Sequence, residues 1–172
     1  NHAFKKSINK EFFKDQYISV EKHTRFIKTP KHSHNFIELA YVYNGKMVQK
    51  INNKEIILGT GEMVLLNQFI EHEIDMTNQD DIIINFIIKP DFFDNIVSLF
   101  DGENIISKFL LTSIYGGTKK GEYIYFHVGN IGSVQNIIEN IVEEMYNTHP
   151  LKNIRMQFLI GMLITELLMN LD

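Results

Sequence analysis

The sequence places three histidines and one glutamate at spacings that let their side chains converge. His32 and His34 are separated by one residue, Glu38 follows four residues later, and His72 comes after a second apolar run. In a β-strand alternate side chains point to the same face, so His32, His34 and Glu38 share a side with Phe36. Two imidazoles and a carboxylate can therefore point into one cavity, and His72, just after a second strand-like run, can join them.

Two kinds of site can be built from these residue types. Imidazole and carboxylate groups are ligands for Fe, Mn, Ni or Zn, so one hypothesis is a divalent metal site. The candidate metal ligands are His32, His34, Glu38 and His72. The alternative is a polar pocket without metal, in which the same side chains hydrogen-bond a small molecule. Its candidate ligand-binding residues are His34, Phe36, Glu38 and His72, with Tyr41 and Tyr43 if the opposite strand face points inward.

Composition limits the remaining functions. The chain has 172 residues, of which 44% are hydrophobic and 22% charged, as expected of one globular domain. It has no cysteine, which excludes disulfides, thiolate metal sites and cysteine nucleophiles, and we expect a cytoplasmic protein. The net charge of −4 predicts that this segment does not bind DNA by itself. The polar start predicts no signal peptide, and the apolar stretch 158–169 is too interrupted to predict a membrane span.

Short strands and turns dominate residues 17–128. We predict strands at 17–20, 24–27, 36–43, 46–51, 55–58, 63–66, 82–88 and 123–128, with Thr29-Pro30 as a break and 67–71 as a loop that delivers His72. Residues 36–43 are apolar on both faces apart from Glu38, so this strand should be covered on both sides. The regular alternation of strands and turns favours a sandwich or barrel.

Helical spacing takes over near the end of the chain. A helix is predicted at about 91–100, and two more run from about 131 to 145 and from about 151 to 171. Apolar residues of the last helix cover most of its circumference, which indicates two apolar neighbours, the barrel and a second subunit. The predicted homodimer interface contains Leu159, Met162, Leu163, Glu166 and Leu167.

The residues from His32 to Gly45, and the stretch that ends at His72, resemble the two sequence motifs of the cupin superfamily. The glycine that usually lies six positions before the first histidine is replaced by Phe26, and the second motif lacks its usual proline. More narrowly, HSHNFIELAYVYNG with LGTGEMVLLNQ and EHEI resembles the amino-terminal sensor domain of AraC-type transcription regulators. IIINFIIKPDFFDNI resembles the strand and short helix that follow the barrel in that family, and the last two helical patterns resemble its dimerisation helices.

This resemblance implies a mainly β fold, a cupin-like (jelly-roll) β-barrel followed by two antiparallel helices. The chain would be one domain, with the barrel at about 17–128, the dimerisation helices at about 131–171 and the DNA-binding domain absent. Its function would be to bind a small-molecule effector, such as a sugar or another small metabolite, and to modulate a helix-turn-helix domain that alone contacts DNA. The competing interpretation is a metal-dependent cupin enzyme of the dioxygenase or sugar isomerase type; a stand-alone binding protein is the third.

Overall fold

The computed structural model describes residues 17–94, 105–115 and 119–170. Its strands are β1 (Ile18–Lys22), β2 (Thr29–His32), β3 (Ile37–Asn44), β4 (Lys46–Ile51), β5 (Lys54–Gly59), β6 (Glu62–Leu66), β7 (His72–Ile74), β8 (Ile82–Ile88) and β9 (Tyr123–His127). Its helices are a 3-10 helix (Pro90–Phe93), α1 (Ile105–Tyr115), α2 (Gly132–Met145) and α3 (Lys152–Met169).

The strands form two antiparallel sheets whose order is that of a jelly roll. One sheet has the order β1-β8-β3-β6-β9, and the other has the order β2-β7-β4-β5. Strand β1 pairs with β8, β2 with β7, β3 with β6 and β4 with β5, and successive pairs lie in alternate sheets, which is the pattern of a jelly roll. Strand β9 extends one edge of the five-stranded sheet. This arrangement confirms the predicted mainly β, cupin-like (jelly-roll) fold with a helical carboxy-terminal part.

The five-stranded sheet is covered on both faces, which explains the two apolar faces of β3. Ala40 and Val42 point between the two sheets, into a core that also contains residues of β4, β5 and β6. Ile37 and Leu39 point the other way, into a larger core beneath the helices. Alternation along the strand thus separates an inner face, which carries Glu38, from an outer face that contacts helices.

The two long carboxy-terminal helices form an antiparallel hairpin on that outer face. Ser133 at the start of α2 donates a hydrogen bond to Glu166 near the end of α3. Arg155 near the start of α3 lies 3.3 Å from Glu144 at the end of α2. Polar contacts at both ends therefore fix the antiparallel pairing, and buried aliphatic residues fill the contact with the sheet.

Some predicted elements differ from the structure. Thr29-Pro30 does not break a strand but begins β2, and proline is tolerated there because β2 is an edge strand that pairs only with β7. Residues 24–27 form no strand, and α1 is a helix that the sequence pattern did not reveal. The helix predicted at 91–100 begins as a 3-10 helix, and residues 95–100 lie outside the described ranges. Of the described helices, none is both long and apolar enough to cross a bilayer.

Candidate functional site

The four residues singled out by their spacing meet where the two sheets approach each other. His32, His34 and Glu38 do not share one strand as we predicted, because β2 ends at His32 in the four-stranded sheet and β3 begins at Ile37 in the five-stranded sheet. The chain crosses between the sheets at 33–36 and carries His34 with it. His72 is the first residue of β7 and lies directly opposite His32. A crossover, rather than simple alternation, therefore brings the side chains together.

The cluster is compact and buried. His72 Nε2 lies 3.0 Å from His32 Nε2, and His34 Nε2 lies 3.2 Å from Glu38 Oε2. His34, Glu38 and His72 each offer one ligand atom, and these three atoms lie within 4.8 Å of one another. The exposed fractions of His34, Glu38 and His72 are 3%, 6% and 0%. Such spacing lets a single small group or ion contact all three side chains.

Backbone carbonyl groups fix the orientation of two imidazoles. His34 Nδ1 donates to the Phe36 carbonyl at 2.8 Å, and His32 Nδ1 donates to the Pro30 carbonyl at 2.9 Å. A carbonyl only accepts, so in a neutral ring each Nδ1 carries the proton and each Nε2 presents a lone pair to the cluster. His72 Nε2 is then the donor towards His32 Nε2, and its buried Nδ1 has no hydrogen-bond partner.

With this arrangement of protons, no hydrogen lies between His34 Nε2 and the Glu38 carboxylate. A neutral His34 presents a lone pair to the Glu38 carboxylate, and His34 Nε2 has no hydrogen-bond donor nearby. Two acceptors 3.2 Å apart repel each other unless they share a proton or a cation. The contact therefore suits a proton or a small cation that is shared between the two groups.

Burial and mutual charge shift the titration of the cluster. Desolvation by itself would raise the pKa of Glu38, but the contact with His34 and the electrostatic influence of the neighbouring imidazoles lower that pKa to about 2. Desolvation lowers the pKa of His72 to about 4, and it also lowers the pKa values of His32 and His23. Near neutral pH the carboxylate is charged, while these three histidines are neutral.

A cavity of about 220 Å³ opens beside the cluster. Its polar wall includes two residues that our sequence analysis missed, His23 and Asn85. Asn85 is 8% exposed, and its side-chain Nδ2 lies 3.3 Å from His23 Nδ1. Asn85 is the only polar residue of β8, IIINFII, and this interruption of an apolar strand was a usable signal. The cavity is lined by Glu21, His23, Thr24, Thr29, His32, Phe36, Glu38, Ile74, Asn85 and Ile87.

Comparison with known proteins finds a family model that matches these strands. Residues 18–85, which include β1 to β7 and part of β8, match the AraC-like ligand binding domain. Over these residues the chain is similar to that family. The match contains His32, His34, Glu38 and His72 together with the missed residues His23 and Asn85, and it confirms the resemblance stated from the sequence. Among curated protein sequences, none matches the chain significantly.

Solved structures of ToxT from Vibrio cholerae have the same fold. The apo K231A variant aligns with a TM-score of 0.58 and 10% identity, and the alignment covers 87% of this chain and 54% of that chain. Wild-type ToxT with bound unsaturated fatty acid gives 0.52 and 13%, with 87% and 52% covered. ToxT from strain O395 gives 0.52 and 8%, with 90% and 55% covered. The chain thus spans about half the length of these proteins, and such low identity establishes similarity of fold alone.

The barrel does not direct every predicted pocket residue inward. Phe36 lines the cavity and stacks on His34, with ring centroids 4.1 Å apart and an angle of 6° between the rings. Tyr41 points to the helices, where its hydroxyl donates to Gln135 at 2.7 Å. Tyr43 is exposed at the end of β3. The faces of β3 are therefore not reversed, and neither tyrosine reaches the cavity.

The predicted interface residues of α3 fall on different sides of the helix. Leu163 and Leu167 are buried in the core of their own subunit, which corrects their assignment to a dimer interface. Leu159 packs partly against the same core, and Glu166 accepts the hydrogen bond from Ser133. Met162 is exposed. It belongs to an apolar stripe on the outer side of α3, here called the α3 stripe, which consists of Ile154, Phe158, Met162 and Met169.

Proposed function

We propose that this chain is the effector-sensing and dimerisation domain of an AraC-type transcription regulator. The observation that carries the proposal is that the AraC-like ligand binding match spans the strands whose inner faces surround the buried polar cavity. A barrel of this size can hold one small molecule, and the convergent polar groups supply contacts that orient it. DNA would be contacted only through a helix-turn-helix domain outside these 172 residues.

Strand β3 offers a physical link between the cavity and the helices. Its inner face carries Glu38, and its outer face carries Tyr41, which is hydrogen-bonded to Gln135 of α2. A ligand that binds one arrangement of β3 better than another shifts the population towards that arrangement. We propose that this shift changes how the helical hairpin packs, and thereby the spacing or freedom of the DNA-binding domains.

The α3 stripe supports the dimerisation part of the proposal. Its four apolar side chains lie within about 80° of one another around the helix, since successive residues turn by about 100°. Phe158 is 71% exposed and lies among other exposed apolar side chains. Contiguous exposed apolar patches commonly mark surfaces that bind another protein. A second copy of α3, related by a two-fold axis, would cover the same stripe on both subunits.

Reading the native gene through and beyond the codon for Asp172 tests the regulator proposal. We expect an in-frame continuation of about one hundred residues, basic and with two helix-turn-helix patterns, which is the size and chemistry that DNA contact requires. A stop codon at or near Asp172 would contradict the regulator proposal and leave a binding protein or an enzyme.

A metal-dependent cupin enzyme is the second candidate, favoured by the ligand atoms of His34, Glu38 and His72 within 4.8 Å of one another. The cluster fits a divalent ion, because carbonyl contacts orient the His34 and His32 rings as they do in metal sites and leave lone pairs that face inward. A bound metal would supply Lewis-acid chemistry. Elemental analysis of chelator-free protein, with a His34→Ala control, distinguishes the candidates: about one metal per chain, lost in the variant, favours the enzyme.

A further inference from the structure

The described part of the cavity wall carries two carboxylates, and its basic side chains are two histidines, His23 and His32, whose pKa values are lowered by burial. The two carboxylates are those of Glu21 and Glu38, and no lysine or arginine is among the described lining residues. The nearby cations are engaged elsewhere: Lys28 pairs with Asp75 at 3.0 Å, and Arg25 donates to the carbonyl of Gln79. The electrostatic environment of the cavity is therefore negative.

The sheet register places the principal acceptors in one row across three strands. Glu21 of β1 lies directly opposite Asn85 of β8, and Asn85 lies opposite Ala40 of β3. Glu38 is two residues from Ala40 on the same face, so it is the diagonal neighbour of Asn85. Diagonal neighbours on adjacent antiparallel strands lie roughly 7–8 Å apart, a separation that one small polar group can bridge.

One buried acceptor on this row has no protein partner, the side-chain oxygen Oδ1 of Asn85. His23 Nδ1 accepts from Asn85 Nδ2, so the proton of the neutral His23 ring is on Nε2, which is a buried donor without a partner. A buried polar atom without a partner costs free energy, commonly about 1–3 kcal/mol, unless a ligand or water satisfies it. The unsatisfied Asn85 oxygen beside the Glu38 carboxylate calls for a donor that carries positive charge.

The size of the cavity limits the donor to a small molecule. A volume of about 220 Å³ corresponds to about seven water molecules at ~30 Å³ each, and it lies below the range of roughly 300–1,000 Å³ that is usual for drug-sized ligands. Phe36, Ile74 and Ile87 supply an apolar wall. A short hydrocarbon group with one charged donor at its end matches these dimensions and this polarity.

We propose, on the premise that the barrel binds an effector as proposed above, that the effector is a small organic cation whose ammonium group is held by Glu38 and the Asn85 side-chain oxygen. An anionic ligand is repelled by both carboxylates and finds no lysine or arginine in the described wall. A carboxylate ligand such as the fatty acid bound in ToxT is therefore excluded from this cavity. Asn85 becomes a specificity-determining residue, because it selects a donor over an acceptor.

Two series of small probes, each of one carbon skeleton with different end groups, test the proposal on the 172-residue chain. One series is n-butylammonium, 1-butanol and butyrate, and the other is benzylammonium, benzyl alcohol and benzoate, all at pH 7.5 and constant ionic strength. Calorimetric titration and the shift in melting temperature measure binding. We expect the ammonium compound of at least one series to bind at least tenfold more tightly than its alcohol, and the carboxylate to give no shift.

Variants locate the binding. Asn85→Asp keeps the size of the side chain and adds a carboxylate, so we expect it to tighten ammonium binding about tenfold. Glu38→Gln removes the charge and should weaken binding at least tenfold. The matched control is Glu73→Gln, since Glu73 pairs with Lys50 and does not line the cavity; its affinity should equal that of the wild type. Each variant is compared with its own ligand-free melting temperature, so a loss of stability is not mistaken for a loss of binding.

Three results would overturn the proposal. They are no binding of either ammonium compound, equal or tighter binding of the alcohol or carboxylate, and ammonium binding that neither Asn85→Asp nor Glu38→Gln changes. The effector-sensing function survives each of them if another ligand binds in the barrel, and its own test is the gene sequence beyond Asp172. The experiments therefore distinguish failure of the proposal that the effector is a cation from failure of the regulator proposal.

Discussion

At the scale of single residues, the contact between Glu38 and His34 determines the character of the cluster. The carboxylate is buried, and the nearest side-chain nitrogen belongs to an imidazole that also donates to a backbone carbonyl. Removing one partner from a buried pair leaves the other without compensation, which costs more than the pair itself contributes. Substitutions at Glu38 should therefore separate the effect of charge from that of hydrogen bonding.

Glu38→Leu should be less stable than Glu38→Gln. The glutamine amide can donate a hydrogen bond to His34 Nε2, whereas leucine leaves this buried nitrogen without a partner, at a cost of about 1–3 kcal/mol. The free energy of unfolding in urea measures the difference. A leucine variant as stable as the glutamine variant would show that the contact contributes nothing to the fold.

Acid should destabilise the protein in two steps. The pKa of His72 is lowered from its ordinary value of 6.5 to about 4, so the folded state binds fewer protons than the unfolded state, and stability falls as pH falls from about 6.5 to 4. Glu38, lowered from 4.5 to about 2, adds a second loss between these values. At ~1.4 kcal/mol per pKa unit, the loss from His72 reaches a few kcal/mol. Urea unfolding at about pH 7, 5.5 and 4.5 measures the first step, and unfolding at about pH 3 measures the second.

His72→Gln provides the comparison for this pH dependence. Without the imidazole, the decline between pH 6.5 and 4 should become shallower, because the group that the unfolded state protonates is gone. An unchanged slope in the variant would assign the acid sensitivity to other groups.

Residue types and spacing were sufficient to predict part of the candidate site. His34, Glu38 and His72 stood out because imidazoles and carboxylates are rare in otherwise apolar runs. His23 and Asn85 were missed, since their role depends on which strands are neighbours: β1 lies beside β8, although more than fifty residues separate them in the chain. Spacing along the chain carries no information about that pairing.

At the scale of elements, the hairpin between β3 and β4 shows how one residue fixes the path of a strand that lines the site. Gly45 has a φ of +80°, and a Cβ atom at this position would lie 2.2 Å from Asp81 Oδ1. The backbone and the packing therefore both require glycine. Asp81 in turn accepts hydrogen bonds from the backbone nitrogens of Lys46 and Asn78, which joins the hairpin to the loop before β8.

Gly45→Ala should destabilise the protein by about 2 kcal/mol or more, because strain at positive φ adds to the clash with Asp81. Gly132→Ala is the matched control, since a Cβ at Gly132 meets nothing within 4 Å and its φ is not in the left-handed region. Thermal unfolding of both variants measures the contrast. Equal melting temperatures would contradict the role given to Gly45.

Strand boundaries were predictable where turn residues mark them. Asn44-Gly45 and Asn52-Asn53 indicated the turns on either side of β4, and the asparagines at 52 and 53 do adopt positive φ. Helix α1 was not recognisable, because Ser107 and Ser113 occupy its buried face and interrupt the apolar period. The loop expected at 67–71 is present, but the strand that follows it, β7, was missed because three residues are too few to leave a pattern.

At the scale of the whole molecule, the α3 stripe is a surface that the fold itself leaves uncovered. The outer face of α2 is polar, with exposed Asn136, Glu139 and Asn140, whereas the outer face of α3 is apolar. The polar face of α2 is compatible with exposure to water, whereas four exposed apolar side chains on one side of α3 favour contact with another protein surface.

Phe158→Asp should weaken self-association at least tenfold, because it places a charge at the centre of the proposed interface. Light scattering coupled to size-exclusion chromatography over a dilution series measures the change. Asn136→Asp, which adds the same charge on the polar face of α2, should leave association unchanged. If wild type and Phe158→Asp have the same mass at every concentration, α3 does not mediate a dimer.

The chain order of the strands was not derivable from periodicity, which predicted a sandwich or barrel without choosing its connections. Only the resemblance to cupins implied the jelly roll, since eight short strands can be joined into sheets in many ways. The sheet order is a long-range property, set by which apolar faces bury each other, and local spacing does not encode it.

The central claim is that the cavity beside His34, Glu38 and His72 binds an effector. The most direct test is to measure the melting temperature of the 172-residue chain against a broad panel of small metabolites, amines and divalent metals, with His34→Ala measured in parallel. The account predicts at least one compound that raises the melting temperature of the wild type and has no effect on the variant, because a ligand that binds only the folded state stabilises it. A panel that leaves the wild type unmoved, or that shifts wild type and variant equally, would contradict it.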